Sequence, residues 1–260
     1  MKPRPSDRIK AGVGSKIFEK MSHDERIVRG ILGVTAATVP DCLLVVATES
    51  FIKGASSRLK KSKKKGRLTI GKLWDTVIGV LDAGIGTPAA AMVLEAAAKT
   101  NPKVLIRADF CGGLLKEHNI GHAFVAESVI VGDGCCAGYF GQGQMIPADS
   151  GLTNSMFSRL ESLGLPTHRG TMWTTDFLLR QTEELLQEWV GKGAQAVDME
   201  TSAILGIADE RGIPAASINC ISDLPLQGKP IFGSSGMDPM LFRGIDVVID
   251  VAMQTLVDSQ

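Results

Sequence analysis

The chain has 260 residues, of which 28 are Lys or Arg and 28 are Asp or Glu, so its formal net charge is zero. Hydrophobic residues make up 44% of it, a globular composition that excludes a chain disordered throughout. Zero net charge excludes a globally basic nucleic-acid-binding protein, and no apolar stretch of about 18 residues predicts a membrane span. The length fits one domain, and we predict an N-terminal arm over residues 1–30 and one folded domain over residues 31–260.

Short apolar runs alternate with helical patterns along the chain. The patterns predict strands at residues 42–47, 74–83, 104–106, 123–131, 196–197 and 215–221, a turn at 109–113, and helices at 89–99, 153–163, 176–189, 244–257 and in a segment that ends at 208. This alternation predicts an α/β domain with a mixed, mostly parallel central sheet flanked by helices. In such sheets ligands bind beyond the carboxyl ends of the strands, where the polar motifs of this sequence lie.

A strongly basic run interrupts this pattern at residues 58–67, with seven cations in the sequence RLKKSKKKGR. We predict a solvated loop between two strands, and the alternative is a docking patch for phosphates or an anionic partner. Because the whole chain is neutral, the remainder carries a matching negative excess.

The cysteines indicate a reducing compartment. They are odd in number and scattered, at Cys42, Cys111, Cys135, Cys136 and Cys220, and the adjacent pair has poor geometry for a disulfide. The first 20 residues lack the apolar core of a secretory signal, so we predict a cytoplasmic protein with free thiols. The four histidines are dispersed and predicted at the surface, and no residue cluster has metal-ligand spacing, so neither a metal nor a cofactor is predicted.

Two motifs are suited to bind an anion. Gly86 and Thr87 lie in the segment GIGTP at a strand-to-helix junction, where free N–H groups and the helix dipole favour negative charge. Arg107 directly follows a predicted strand and could bind a phosphate with both guanidinium nitrogens. The alternatives are a purely structural glycine turn and a salt bridge between Arg107 and Asp109.

Two further motifs carry carboxylates at strand ends. In Asp198-Met199-Glu200 a carboxylate could accept hydrogen bonds from a sugar diol; the alternative is that Glu200 is a helix-start acid and Met199 fills the core. In Ser222-Asp223 a partly buried aspartate could have a raised pKa and act as a general acid. The alternative is that Asp223 caps the next turn.

Taken in order, the four motifs resemble those of the nucleoside phosphorylase superfamily, which includes purine nucleoside phosphorylase and uridine phosphorylase, across residues 68–256. The matching elements are a Gly-x-Gly-x-Pro turn, an arginine-led strand end, a Met-Glu pair and a Ser-Asp pair. The resemblance implies a nucleoside phosphorylase-like catalytic domain over residues 31–260. It implies cleavage of the N-ribosidic bond of purine nucleosides by inorganic phosphate, giving free base and ribose 1-phosphate.

The same resemblance implies a role for each motif residue. Asp223 would protonate the departing purine as the catalytic residue. Phosphate would be bound by Gly86, Thr87 and Arg107, ribose by Met199 and Glu200, and the base by Cys111, Gly112 and Val197. Such a pentosyltransferase of purine salvage needs no cofactor, works in the cytoplasm as a homo-oligomer (dimer, trimer of dimers or hexamer) and has neither a nucleic-acid nor a membrane partner.

Some positions depart from the phosphorylase pattern. Residues 47–51 read ATESF where family phosphorylases carry Pro-Gly-Asp-Pro-x-Arg, and Asp109 and Phe110 replace the glycine and hydroxyl residue that follow the family arginine. A carboxylate beside a phosphate is repulsive unless it is paired. Thr174-Thr175-Asp176 and Asp198-Met199-Glu200 also resemble AMP nucleosidase, which uses water. A hydrolytic nucleosidase, a uridine phosphorylase and a non-catalytic nucleoside-binding homologue are therefore the alternatives.

Overall fold

The computed structural model describes residues 19–231 and 238–260. Its α-helices are α1 (His23–Leu32), α2 (Glu49–Arg58), α3 (Thr87–Ala98), α4 (Gly134–Phe140), α5 (Ser150–Ser162), α6 (Glu183–Gly191), α7 (Thr201–Glu210) and α8 (Pro239–Asp258). Its strands are β1 (Cys42–Val46), β2 (Lys60–Lys65), β3 (Leu68–Leu73), β4 (Thr76–Asp82), β5 (Val104–Gly113), β6 (Ala123–Val131), β7 (Met145–Pro147), β8 (Thr167–Thr174), β9 (Ala196–Asp198) and β10 (Ala215–Asp223).

The strands form one mixed sheet in the order β10-β6-β8-β9-β5-β1-β4-β3-β2, with β7 paired to β6. Because β5 also pairs with β10, the strands β5, β10, β6, β8 and β9 close into a ring, and β1, β4, β3 and β2 extend it as a wing. Parallel pairs join β1 to β4 and β5, β5 to β10, and β8 to β6 and β9. The predicted α/β fold with a mixed sheet is confirmed, and the antiparallel pairs lie in the β2–β3–β4 meander and along β6 and β9.

The central strands are buried on both faces. Every residue of β1 (CLLVV) and of β10 (AASINCISD) is buried, as expected for strands covered by helices on each side. Helix α8 packs against β1, β5 and β10, and α3 packs against α1 and α7. Within residues 19–231 and 238–260, every helix falls short of the length and hydrophobicity that a membrane crossing requires.

The N-terminal part of the described chain begins with α1, which spans the predicted boundary between arm and domain. Ser22 caps this helix by accepting a hydrogen bond from the Glu25 N–H, and Val28 and Leu32 are fully buried in the main core. The helix therefore belongs to the folded domain from residue 23 onward. Residues 1–18, which make up most of the predicted arm, lie outside the described part of the chain.

Several predicted element boundaries were wrong because polar side chains have partners within the fold. The turn predicted at residues 109–113 is a continuation of β5, since the Asp109 carboxylate is satisfied inside the protein. The helix predicted from residue 176 begins at Glu183, because Thr182 caps it and Asp176 is held elsewhere. The basic run predicted as a loop forms strand β2, and strand β8 and helix α2 were not predicted.

Three histidines that are far apart in sequence form a cluster near the starts of β6 and β8. His122 Nδ1 lies 2.9 Å from His168 Nε2, and the ring centroids of His118 and His168 are 4.4 Å apart. His118 is 1% exposed, and neither of its ring nitrogens has a hydrogen-bond partner among the described residues. Burial lowers the pKa of His118 to about 4 and also lowers the pKa values of His122 and His168.

Replacing His118 with phenylalanine is expected to reduce the loss of stability in mild acid. The unfolded chain binds a proton at this histidine near pH 6.5 and the folded chain only near pH 4, so between these values the unfolded state holds more protons. The free energy of unfolding therefore decreases as the pH is lowered through this window, by up to about 1.4 kcal/mol per pH unit for one such group. Urea unfolding of both proteins from pH 7.5 to 5 measures the effect. Parallel stability curves would show that His118 is not its source.

Candidate active site

A cavity of about 400 Å³ opens where β1, β4, β5, β9 and β10 end, within the size range of small-molecule sites. It brings together most of the predicted site residues, namely Arg107, Cys111, Gly112, Val197, Met199, Glu200 and Asp223. Gly86 and Thr87 lie at the start of α3, and the Gly86 N–H reaches the site by donating to Glu200 Oε1 at 2.8 Å. The Gly86 φ of +90° is in the left-handed region that favours glycine.

Arg107 is buried in the floor of the cavity and already paired within the protein. Its side chain lies 3.0 Å from the carboxylate of Asp198 and 2.8 Å from that of Glu200, and it also donates to the Asn219 side chain. Burial alone would lower the pKa of Arg107, but the two carboxylates outweigh burial and raise it. The alternative of a salt bridge to Asp109 is wrong, because the guanidinium turns to Asp198 and Glu200.

Glu200 lies between Arg107 and the first turn of α3. Its Oε1 accepts the Gly86 N–H and its Oε2 accepts from Arg107, each at 2.8 Å. A carboxylate has about four acceptor sites, so two remain for groups in the cavity. Burial raises the pKa of Glu200 to about 7, with Arg107 opposing the rise and Asp198 adding to it. Glu200 is therefore able to take up and release a proton at neutral pH.

Asp198 fixes the position of the loop that carries Met199 and Glu200. Its Oδ2 accepts hydrogen bonds from the Thr201 N–H and Oγ1 at 2.8 and 2.6 Å, and its Oδ1 accepts from Thr174 Oγ1 at 2.6 Å. These bonds tie the end of β9 to the start of α7. Sequence analysis placed Asp198 in the motif with a diol-binding carboxylate, and the structure makes it a positioning residue for both Arg107 and Glu200.

Asp109 points from β5 to the loop that follows β1. Its carboxylate accepts from the N–H groups of Ala47 and Thr48 at 2.6 and 2.9 Å, from Thr48 Oγ1 at 2.7 Å and from the Phe110 N–H at 2.9 Å. This loop is where the phosphorylases that the sequence resembles carry their phosphate-binding segment. The carboxylate of the chain itself thus takes the N–H groups that could have bound an external anion.

Thr87 is also held by a carboxylate. Its Oγ1 donates to Asp176 Oδ1 at 3.1 Å, and Asp176 Oδ2 accepts the Gly134 N–H at 2.6 Å. Asp176 therefore links the starts of α3 and α4. Each of the three predicted phosphate ligands, Gly86, Thr87 and Arg107, is bonded to a carboxylate of the protein.

Asp223 ends β10 and lines the cavity. It is 4% exposed, and its Oδ1 accepts from Ser222 Oγ at 2.7 Å. Burial raises the pKa of Asp223, and the hydrogen bond from Ser222 opposes this rise. Asp223 pairs with Gly112, where a Cβ atom would lie 3.2 Å from Asp223 Oδ2 and 3.1 Å from Val197. The absence of a side chain at Gly112 therefore lets Asp223 and Val197 pack closely against β5.

Apolar side chains complete the cavity, and sequence analysis assigned them no role. They are Ile85, Phe110, Leu178, Ile231 and Leu241. Leu178, Ile231 and Leu241 come from outside the motifs, in loops and in α8, so no local pattern marks them. Cys111 is buried, which raises the pKa of its thiol well above the ordinary value and makes it a wall residue and not a nucleophile. Within the described ranges, no His, Cys, Asp and Glu side chains are grouped to hold a metal ion.

Comparisons with known proteins agree with this fold. The sequence model of the phosphorylase superfamily matches residues 31–232. A DeoD-type purine nucleoside phosphorylase of Buchnera aphidicola is 27% identical over 177 residues, which cover 66% of this chain and 74% of that relative. The structure resembles uridine phosphorylase from Vibrio fischeri, with a TM-score of 0.79, 21% identity and coverage of 92% of this chain and 99% of that one.

A second solved structure with the same fold is the 5′-methylthioadenosine/S-adenosyl homocysteine nucleosidase of Campylobacter jejuni. Its TM-score is 0.72 at 16% identity, and the alignment covers 83% of this chain and 98% of that one. The match to the family sequence model covers most of the chain and includes the Gly86, Arg107, Glu200 and Asp223 motifs. The chain therefore belongs to the phosphorylase superfamily, whose relatives named above include nucleoside phosphorylases.

Proposed function

We propose that this protein hydrolyses the N-ribosidic bond of purine nucleosides, giving free base and ribose. The observation that carries the proposal is that Gly86, Thr87 and Arg107 are each bonded to a carboxylate of the chain itself. Asp109 in addition takes the N–H groups of the loop after β1. Each group predicted to bind the phosphate nucleophile is therefore already bonded to the chain itself.

The charge of the cavity also favours water over phosphate as the nucleophile. Carboxyl groups of Asp109, Asp198, Glu200 and Asp223 line it, and among its described lining residues Arg107 is the single cation. A phosphate anion would meet net negative charge at short range, which is strongly unfavourable where water is excluded. A water molecule carries no charge and needs only an acceptor for its proton.

Glu200 and Asp223 can divide the proton transfers between them. Water attacks the anomeric carbon and gives a proton to Glu200, while the C–N bond breaks and its electron pair stays on the base. Asp223 enters this scheme as the protonated acid, a form that burial favours because it raises the pKa, and it gives its proton to the departing purine. One acceptor site of Glu200 serves the water and the other holds a ribose hydroxyl, and Met199 packs against the sugar. Two carboxyl groups with separate roles are a common arrangement for cleaving a glycosidic bond.

The apolar wall favours a neutral nucleoside over a nucleotide. The AMP nucleosidase alternative requires a positive group for the 5′-phosphate, and Arg107 is neutralised by Asp198 and Glu200. The remaining described wall is formed by residues such as Phe110 and Leu241. The preference for a purine rests on Asp223 as a proton donor and on the purine nucleoside phosphorylase among the relatives.

Phosphorolysis is the second candidate, because the Buchnera relative is a phosphorylase. The two reactions differ in their product. We expect inosine, adenosine or guanosine to yield free ribose at a rate that does not change when phosphate is removed. Formation of ribose 1-phosphate that requires phosphate would establish the phosphorylase instead. Calorimetric binding of nucleosides with no release of base would establish a non-catalytic homologue. The predicted homo-oligomer and cytoplasmic location remain predictions.

A further inference from the structure

Strand β2 is an edge strand made almost entirely of lysines. Its sequence is KKSKKK, and all six residues are exposed. It pairs with β3 on one side, and among the described strands its other side is the edge of the sheet. We call this strand together with Lys72 of β3, which lies opposite Lys60, the lysine ribbon. At about 3.3 Å per residue the strand is roughly 17 Å long, so five lysines are concentrated within this length, with successive side chains on opposite faces.

The charges of the lysine ribbon are not neutralised by the fold. Among the described residues, no lysine of the ribbon takes part in a salt bridge. Lys64 helps to lower the pKa of Glu49, but the main cause is Lys53, with which Glu49 is paired at 2.8 Å. Like charges at this density repel one another, so an anion bound along the strand would relieve the repulsion.

A bulge shapes this edge. Lys61 and Ser62 together lie opposite Gly71, and Lys61 has a φ of +52°. A Cβ atom at Gly71 would lie 3.0 Å from the Lys60 carbonyl oxygen and 3.1 Å from Ser62 Cα, so the close approach requires glycine. Bulges twist an edge and redirect its side chains, which hinders pairing with the strand of a second copy. The geometry thus disfavours β-pairing to another protein and leaves the lysines available.

An exposed tryptophan follows Lys72, near the Lys60 end of the lysine ribbon. Trp74 is 56% exposed at the turn between β3 and β4, two residues beyond Lys72. Single-stranded nucleic acids are bound by cationic tracks that follow the phosphates, combined with aromatic rings on which bases stack. Lysines that alternate between the two faces of an edge strand can lie on both sides of a narrow chain of phosphates, whereas a flat membrane would meet them from one direction only.

We propose that the lysine ribbon and Trp74 bind single-stranded RNA through its phosphates and one stacked base. The neutral composition of the chain excludes only a globally basic protein, because the acidic remainder cancels this local charge in the total; the absence of a nucleic-acid partner was implied by the family resemblance alone. The surface is at the edge of the wing and is independent of the chemistry proposed for the cavity. With five lysines on phosphates, the slope of log K against log salt for single-stranded RNA should be about −3.5.

Fluorescence anisotropy with a labelled oligouridine of about 20 nucleotides tests the proposal. In the triple variant, Lys61, Lys63 and Lys64 are changed to Gln. This variant should bind the oligouridine at least about tenfold more weakly at low salt, and its salt slope should be less negative by about 2. A control triple variant removes the same charge elsewhere, with exposed Lys103, Lys116 and Lys192 changed to Gln, and should bind within twofold of the wild type. Thermal unfolding of each variant verifies that it is folded.

Three results would overturn the proposal. Equal losses in the two triple variants would mean that binding follows total charge and not the ribbon. Binding of vesicles containing phosphatidylserine without binding of the oligouridine would identify a membrane surface. Trp74→Leu should weaken RNA binding at least about fivefold and leave binding of inorganic polyphosphate unchanged. If the variant binds RNA as tightly as the wild type does, no base is stacked on Trp74.

Discussion

Replacing Asp223 with asparagine is expected to slow the release of a purine base by about 10²–10⁴-fold, the usual worth of a general acid. The reason is that the departing purine builds up negative charge, and Asp223 is a buried carboxyl group that lines the cavity and has no salt bridge to Arg107. Burial raises the pKa of Asp223, which favours its protonated form. Asparagine keeps the shape and can donate a hydrogen bond, but it cannot transfer a proton. The measurement is the steady-state release of base from inosine.

A substrate whose leaving group needs no proton supplies the control for this variant. 4-Nitrophenyl riboside releases a stable phenolate, so its cleavage by the Asp223→Asn protein should fall by less than about tenfold. A loss of equal size on both substrates would mean that the change damages the site and not a proton transfer. Survival of inosine cleavage within a few-fold would exclude Asp223 as the general acid. In both proteins the rate should fall as the pH drops below about 7, because Glu200 must be deprotonated to accept the proton of water.

The sequence predicted the central fold where strands are short and continuously apolar. CLLVV in β1 and AASINCI in β10 were placed correctly, because a strand buried on both faces is a nearly continuous run of apolar residues. The sequence-based prediction failed where a polar segment forms a strand because it pairs with neighbouring strands. Strand β2 contains five lysines and is held only by pairing with β3, and β8 (THRGTMWT) pairs with β6 and β9. Such pairing is a property of the assembled sheet and leaves no local pattern.

The residues of the candidate site were easier to predict than their partners. Local motifs identified Arg107, Glu200 and Asp223, and the structure brings all three to one cavity. No local motif indicates that Asp198 rather than Asp109 pairs with Arg107, or that Asp176 reaches Thr87 across 89 positions of sequence. These contacts decide the electrostatics of the site. The motifs therefore predicted where the chemistry takes place, while the nucleophile could be argued only from the carboxylates that surround them.

Replacing Arg107 with methionine is expected to reduce the free energy of unfolding by about 3–5 kcal/mol at neutral pH. The guanidinium is 1% exposed and lies within 3.0 Å of Asp198 and Glu200, so its removal leaves two buried carboxyl groups without a countercharge. Methionine fills a similar volume, which keeps the contribution of a cavity small. Urea unfolding at pH 7.5 measures the change. A loss below about 1 kcal/mol would mean that water or another cation replaces the arginine.

The pH dependence of this variant separates Glu200 from Asp198. Without Arg107 the pKa of Glu200 should rise further above its value of about 7, because the attraction that opposed burial is gone. The folded protein then holds a proton that the unfolded chain releases near pH 4.5, so the stability of the variant falls as the pH rises. This fall should continue above pH 7, where the stability of the wild type levels off. Adding Glu200→Gln removes the titrating group and should flatten the curve above pH 7. If the double variant keeps the same slope, the unpaired charge is on Asp198, and Arg107 serves mainly to hold the loop before α7.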